Sequence, residues 1–582
     1  MPELLLSRRD VDFCLFEWLD TEHLLKSDAY ADLDRGTVSE ILALAERIAT
    51  DLFATHNHRN DAEEPTFDGT TVRIHDDVAP ALAAYYEAGL GGLAKPPDVG
   101  GLELPTTISQ VVGMWFSAAN AATSGYSFLT HANANLLLAH ASAEQIQTWV
   151  PPMVEGRYFG TMCLSEPHAG SSLSDITTTA ERQPDGTYLL RGNKMWISGG
   201  DHELSENIVH LVLARVPGAP AGTKGISLFI VPKNLPDGVP NDVSLAGLNH
   251  KMGQRGLTNC LLNFGEGEGA VGYLVGEENK GLAYMFHMMN EARIAVGSGA
   301  VAQGYSGYLH ALDYARNRPQ GRPVDAKDPL SPMVPIIDHP DIRRMLLASK
   351  AYVEGGLALT LYCGMLVDEL QHGDDPQAAD HLLEFLTPIA KSWPSQWCLV
   401  ANDHAIQIHG GYGYTRDYPV EQLWRDNRLN SIHEGTHGIQ ALDLLGRKVT
   451  MNGGAALMAL AQRMQATIER GLAEGGAHAT HAAALAPRLQ RMLEVTAGLW
   501  ADRNPRTALA EATTYLEAAG HVVVAWLWLD MEMAATGSDE FYAGKRTAAE
   551  FFFSRELPKV DVMFDVLAAQ DGLYLDLDEA TF

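Results

Sequence analysis

The stretch Ser431-Ile-His-Glu-Gly-Thr-His-Gly-Ile-Gln440 holds one acid, Glu434, followed at once by Gly435 and Thr436. Ile439, Leu442, Leu444 and Leu445 then repeat at helical spacing. The spacing predicts a tight turn ahead of a helix, with Gly435 relieving the backbone. A carboxylate on such a turn is offered to a ligand, and once desolvated it becomes a general base. An acid at a helix start also complements the helix dipole and is common. By itself the stretch does not decide between these readings.

Three further stretches add chemistry. Gly160-Thr-Met-Cys-Leu-Ser-Glu-Pro-His-Ala-Gly-Ser-Ser172 joins a strand to a Gly/Ser loop, where amides and hydroxyls can approach a flat or anionic ligand. Lys194-Met-Trp-Ile-Ser-Gly-Gly200 sets Trp196 and Ser198 two apart, on one face of a strand, so that an aromatic ring and a hydroxyl could flank a planar ligand. Gln407-Ile-His-Gly-Gly-Tyr-Gly-Tyr-Thr415 ends a helix in closely spaced glycines. That is not a Gly-x-Gly-x-x-Gly turn after a strand, so a Rossmann nucleotide site is not supported. His56-Asn-His58 lacks a third and fourth ligand and is expected to be a surface loop; no metal site is expected.

The elements that must position these residues follow a helix–sheet–helix order. Residues 1–160 read as an N-terminal helical domain, with apolar stripes at Phe13, Leu15, Phe16 and Leu19 and at Ile41, Leu42, Ala45 and Ile48. Ser142-Ala-Glu-Gln145 predicts a capping box. Residues 161–277 read as a central β-barrel-like domain. Pro184-Asp-Gly186 is a turn, and Gly192-Asn193 is expected to separate two short strands. Residues 278–450 read as a C-terminal helical domain, a four-helix bundle carrying Glu434. Its first long helix holds Met285, Met288, Met289, Ile294 and Val301. Asn452-Gly-Gly454 predicts a linker to an appended helical domain over 455–582. The fold class is therefore α+β.

With 73 acids against 42 Lys and Arg, the net charge is −31, which disfavours nucleic acid and anionic lipid as partners. The five cysteines are scattered and form no Cys-x-x-Cys pair, as expected in a reducing compartment. The apolar run Val522–Leu529 is far shorter than the roughly 18–20 residues of a membrane span. A cytoplasmic protein is expected.

Taken in order over residues 1 to about 450, the four motifs resemble the acyl-CoA dehydrogenase family. The extra C-terminal region resembles the family's long branch, which includes bacterial fatty acyl-CoA and 3-methylthiopropanoyl-CoA dehydrogenases. The resemblance implies FAD as cofactor, acyl-CoA as substrate, electron-transfer flavoprotein as electron acceptor, and at least a homodimer. It implies that Glu434 is the catalytic base, with Arg293 and Gly435 supporting the substrate loop. Leu164, Ser165 and Ser171 would lie by the FAD, Trp196 and Ser198 on the other side of its ring, and Gln407, Gly410, Gly411 and Thr436 along the rest. Arg318 and Gln320 would serve a neighbouring subunit's FAD. His433 and Gly438 stand where the family often has Tyr and Gln, and His433 is expected to shift the base's pH profile. Some relatives carry the base on the long helix at the position of Ala292; Glu291, one residue earlier, reads as a solvated helix acid. The implied reaction is α,β-dehydrogenation of a medium- or long-chain fatty acyl-CoA to the trans-2-enoyl-CoA. The 3-methylthiopropanoyl or other short-chain thioester is the alternative. Flavin oxidases and DNA-associated relatives of the fold are disfavoured by Glu434 and by the charge.

Overall fold

The computed structural model describes residues 4–30, 33–326 and 328–582, without the side chains of 28 and 286–290; Met288 and Met289 therefore lie outside the described side chains. The chain forms two compact units, Gly36–Ala292 and a second made of Pro2–Arg35 with Arg293–Phe582. The first segment thus departs from the expected 1–160 domain.

In the first unit, helices α1 (Ala121–His140) and α2 (Ala143–Val154) lie against a sheet. The capping box of Ser142 and Gln145 starts α2 as expected. Eight strands follow: β1 (Tyr158–Cys163), β2 (Thr179–Arg182), β3 (Tyr188–Ser198), β4 (Asn207–Arg215), β5 (Ile226–Pro232), β6 (Val243–Leu248), β7 (Asn259–Phe264) and β8 (Ala270–Leu274). Their order is β8-β5-β4-β2-β3-β7-β6, and β8 also pairs with β3, which closes a small barrel. Tyr188, Leu190, Phe229, Leu262 and Phe264 fill its inside. Leu136, Leu137, Trp149 and Met153 cover Val209, Leu211, Leu228 and Ile230 outside it. β4 is therefore buried on both faces, which explains its apolar run, interrupted by the buried His210. The pairing of β1 with β4 is parallel, so the sheet is mixed.

Gly192-Asn193 does not separate two strands. β3 runs straight through it: residues 188–191 pair with β2 and 192–198 with β7. Glycine is needed there because a Cβ would stand 2.5 Å from Thr178 Oγ1. His56 is likewise no loop residue. It is buried between two short helices, its Nδ1 2.7 Å from Leu52 O and its Nε2 2.8 Å from Thr123 Oγ1.

The second unit is helical. The long helix α3 (Gly281–Asn317) enters it at Arg293, and α4 (Pro340–His372) and α5 (Pro376–His409) form an antiparallel pair. α6 (Val420–Arg428) and α7 (His437–Asp443) follow, then α8 (Ala455–Glu474), α9 (Gly476–Leu499), α10 (Ala512–Ala534), α11 (Glu540–Phe551) and α12 (Lys559–Ala569). The expected linker is a short left-handed kink at Asn452, Gly453 and Gly454. The helices after it stay in the same compact unit, because Gly355 and Gly520 let α4 and α5 come close to α10: a Cβ at Gly355 would meet Val524 at 2.8 Å, and one at Gly520 would meet Trp393 at 2.7 Å. Val522–Leu529, flagged for its apolarity, is the buried centre of α10. Among the described residues no helix is long and apolar enough to cross a membrane.

The N-terminal segment joins this unit through buried charge. Lys545 on α11 pairs with Asp10 and, at 2.9 Å, with Glu354 on α4; Tyr305 donates to Asp10 at 2.8 Å. Burial alone would lower the Lys545 pKa, but the two carboxylates outweigh it and raise it. Replacing Lys545 with Met leaves the buried Asp10 without this cation and Glu354 with Lys350 alone. The expected loss is about 3–5 kcal/mol in urea unfolding; an unchanged midpoint would show that the cluster does not hold the segment.

Candidate active site

The residues singled out in the sequence fall into two groups, one in each unit. In the first unit, Leu164 and Ser165 follow β1, and Trp196 and Ser198 end β3. Lys194 Nζ donates to Leu164 O at 3.1 Å, and Met195 N donates to Ser165 O at 3.0 Å. The same ammonium meets Glu166 Oε1 at 3.0 Å, and the pair is buried. The amides and hydroxyls of Thr177 and Thr178 complete the Glu166 shell at 2.6–3.0 Å. Burial alone would raise the Glu166 pKa; Lys194 and these donors outweigh it and hold it at about 2.

A β-bulge between Lys194 and Ile197 puts Trp196 at φ +66°, with its side chain 61% exposed. Such an aromatic, on an otherwise packed strand, offers a flat apolar surface. Ser198 lies beyond the buried Ile197 and accepts from Asn259 Nδ2 at 3.1 Å, which leaves its hydroxyl proton to donate. Ser165 is half-buried and Ser171 is exposed in the loop that follows. A planar ring with polar edges, such as a flavin, fits this group.

In the second unit, α5 ends at His409, and Gly410 and Gly411 open a 3-10 turn. A Cβ on either glycine would meet nothing within 4 Å, so both lie beside open space, next to the exposed Gln407. Arg318 is exposed, its guanidinium carbon 6.0 Å from the centre of the Tyr412 ring on that same turn. Gln320 lies two residues on, its backbone N–H bonded to Val334 O. Thr436 is the N-cap of α7, yet its hydroxyl makes no capping bond. Open glycines beside an exposed arginine suit the phosphate-bearing part of a dinucleotide; Thr436 stands apart from them, on the turn that Lys391 holds about 28 Å back along α5.

Glu434 precedes this N-cap with φ +52°, and Gly435 follows at +88°. Both residues of the turn are left-handed; the glycine adopts this freely, so the strain falls on the acid. Gln440 Nε2 donates to Glu434 O at 2.9 Å, and Lys391 Nζ on α5 donates to Gly435 O at 2.7 Å. Arg293 is buried and pairs with Asp443 of α7 at 2.8 Å. Burial raises the Glu434 pKa, and Arg293 and Lys391 pull against it without cancelling it. Burial takes Lys391 down to about 7, with Glu434 opposing.

Two expectations are corrected here. His433 points its Nε2 at Asn430 Oδ1, 3.0 Å away, and burial holds its pKa at about 3. A neutral imidazole turned toward Asn430 adds no positive charge beside Glu434. Glu291 is not a solvated acid: Asn135 Nδ2 donates to it at 2.6 Å, and its charge supports the buried Lys95. Lys391, Gln440, Asp443 and the Lys194–Glu166 pair were not picked out from the sequence. Lys194 was legible, because it has the same parity as Tyr188 and Leu190 and so belongs to the inward face of β3. Lys391 was signalled only as a lone cation in the apolar stretch Leu386–Trp393.

Glu166→Gln strands the Lys194 ammonium in the interior and loosens the Leu164–Ser165 loop. We expect a loss of about 3–5 kcal/mol and weaker flavin retention. Since the folded pKa is depressed, the carboxylate's contribution is complete above the ordinary carboxyl range and is lost as pH falls toward about 2. Urea titrations at pH 7 and pH 3 check both points.

Family models match most of the chain, between residues 39 and 578. Those described as the acyl-CoA dehydrogenase N-terminal, middle and C-terminal domains cover residues 39–157, 161–266 and 279–449. One described as acetyl-CoA dehydrogenase C-terminal like covers 460–578. The chain is 36% identical to the 3-methylmercaptopropionyl-CoA dehydrogenase of Ruegeria pomeroyi, over 94% of this chain and 95% of that protein. It is 34% identical to the broad-specificity linear acyl-CoA dehydrogenase FadE5 of Mycobacterium tuberculosis, over 99% of both. An acyl-CoA dehydrogenase from Bacillus anthracis complexed with FAD shares the fold, with a TM-score of 0.76 at 20% identity over 97% of this chain and 93% of that one. Caenorhabditis elegans ACDH-11 in complex with C11-CoA also gives 0.76, at 17% identity over 95% and 91%. With the motifs in order and relatives matched over nearly their whole length, the chain belongs to the acyl-CoA dehydrogenase family.

Proposed function

We infer that this FAD-dependent acyl-CoA dehydrogenase oxidises saturated linear acyl-CoA thioesters to trans-2-enoyl-CoA, with Glu434 as the base. The observation that carries the reading is the half-buried Glu434 carboxylate, set on a left-handed turn and made more basic than an ordinary acid by its partial burial. It takes the weakly acidic α-proton of the thioester. Arg293 holds α7 through Asp443, and Gln440 holds the turn's carbonyls, so the carboxylate keeps its place while its charge changes. When bound, FAD supplies the acceptor for the β-hydrogen, which leaves as hydride. Trp196, Leu164, Ser165, Ser171 and Ser198 would flank an FAD ring and Thr436 would contact the cofactor, while Gln407, Gly410 and Gly411, on the turn that Arg318 meets, would hold an adenine and phosphate part. Gly435 gives the turn its second left-handed residue.

The relatives include enzymes named for linear acyl-CoA and for 3-methylmercaptopropionyl-CoA at nearly equal identity, which keeps the sulfur-containing short thioester as a second substrate reading. Anaerobic flavin bleaching against a panel of acyl lengths and 3-methylthiopropanoyl-CoA separates them. Electron-transfer flavoprotein is the acceptor we assign. Five free, buried cysteines accord with a cytoplasmic setting.

Glu434→Gln is expected to keep FAD and bind acyl-CoA, yet reduce flavin roughly 10²–10⁴-fold more slowly. In the native enzyme the rate should fall as pH drops through a midpoint above the ordinary Glu value of about 4.3, because only the deprotonated base acts. Glu291→Gln should bleach at the native rate. Stopped-flow reduction that instead spared Glu434→Gln and crippled Glu291→Gln would falsify the assignment. We also assign at least a homodimer, in which the exposed Arg318 and Gln320 reach a partner's FAD. Light scattering should give twice the chain mass or more, and a monomer that retains FAD would contradict it.

A further inference from the structure

Lys391 is the second cation beside the base, and its ammonium is bound to the backbone of the base's own turn. It lies on the buried face of α5, with Nζ 2.7 Å from Gly435 O. Two features fix α5 at this point. Pro394 has no N–H, so the Ala390 carbonyl lacks its usual helical partner. That carbonyl faces α3 at Gly297, where an added Cβ would come within 1.9 Å of it. The crossing point is one residue from Lys391 and one helical turn from Arg293.

We propose that Lys391 is a positioning residue for the dehydrogenation: its ammonium clamps the Gly435 carbonyl and so holds Glu434 in its left-handed conformation, while its charge keeps the buried carboxylate available as a base. The inference rests on Glu434 being that base. The charged and titratable groups around Lys391 support a direct effect. Glu434, His433 and His437 face it from the turn and α7, Arg293 from α3, and Arg428 from α6 lies near His437. Burial, with Lys391 adding to it, holds His433 and His437 at about 3 and 4, so both are neutral at working pH and Glu434 is the anion Lys391 meets. Arg293 is already engaged by Asp443. Arg293 gives the larger attraction on Glu434 and Lys391 adds to it, and it is Lys391 that also bonds to the turn.

The test uses the FAD-loaded enzyme and anaerobic reduction by a saturated acyl-CoA across pH. Lys391→Met removes the charge and keeps an apolar stem. It should retain FAD and reduce flavin roughly 10²-fold more slowly at neutral pH, as expected for a reacting group displaced by about 1 Å. Its acid limb should move to higher pH by on the order of one unit, because a cation that favoured the carboxylate is gone. Lys391→Arg keeps the charge and should leave the limb where it is in the native enzyme, with a smaller loss of rate. A native rate and limb in Lys391→Met overturns the proposal. So does an equal loss in both variants with an unmoved limb, which is the pattern of a purely structural lysine. If Lys391→Met does not hold FAD, Lys391→Arg decides: a native limb supports the assignment and a shifted one refutes it. Glu434→Gln separates the two ideas. If it stays active, the base is misassigned; if it is dead while Lys391→Met is native-like, only the role of Lys391 fails.

Discussion

A carboxylate taken out of water must have its charge answered by the protein, and this molecule answers it in two ways. Glu166 receives Lys194 and four donors from Thr177 and Thr178, and its pKa falls to about 2. Glu434 has two cations nearby, but no donor among the described residues hydrogen-bonds its carboxylate, and burial wins. The decisive difference is a cation in direct contact, Lys194, reinforced by hydrogen bonds to the charged form; at Glu434 the cations act without such contacts. The first arrangement makes a permanent anion that ties a loop to a strand. The second makes an acid more basic than an ordinary carboxyl group. One is suited to architecture and the other to proton transfer.

What was legible in the sequence follows the range of the interactions involved. The Glu434-Gly435 turn, the capping box at Ser142 and the Pro184-Asp-Gly186 turn are set by neighbours in the chain, and the structure has all three. Gly192-Asn193 misled, because its glycine answers Thr178 across the sheet rather than a local turn. His56 and Glu291 misled for the same reason, since Thr123 and Asn135, their partners, are distant in sequence. The direction of the His433 ring depends on Asn430, three residues back, but also on the turn's left-handed backbone, which side-chain pattern does not encode. Placing Pro2–Arg35 with the C-terminal helices required knowing that Asp10 meets Lys545, 535 positions later.

The appended helices gain a physical role from where they press. α5 carries Lys391, and two residues on it carries Trp393, which packs at Gly520 of α10. Ala390 packs at Gly297 of α3. Within four residues, then, α5 meets two helices that come close because each presents a glycine. Packed interiors transmit such constraints because they have little free volume to absorb them. The segment containing Lys391 therefore cannot shift along or about its axis without opening one crossing or clashing at the other. Shorter members of such a fold, lacking the equivalent of α10, would need something else against this face. In this chain the C-terminal extension is part of the wall that holds α5 in register with the turn of Glu434.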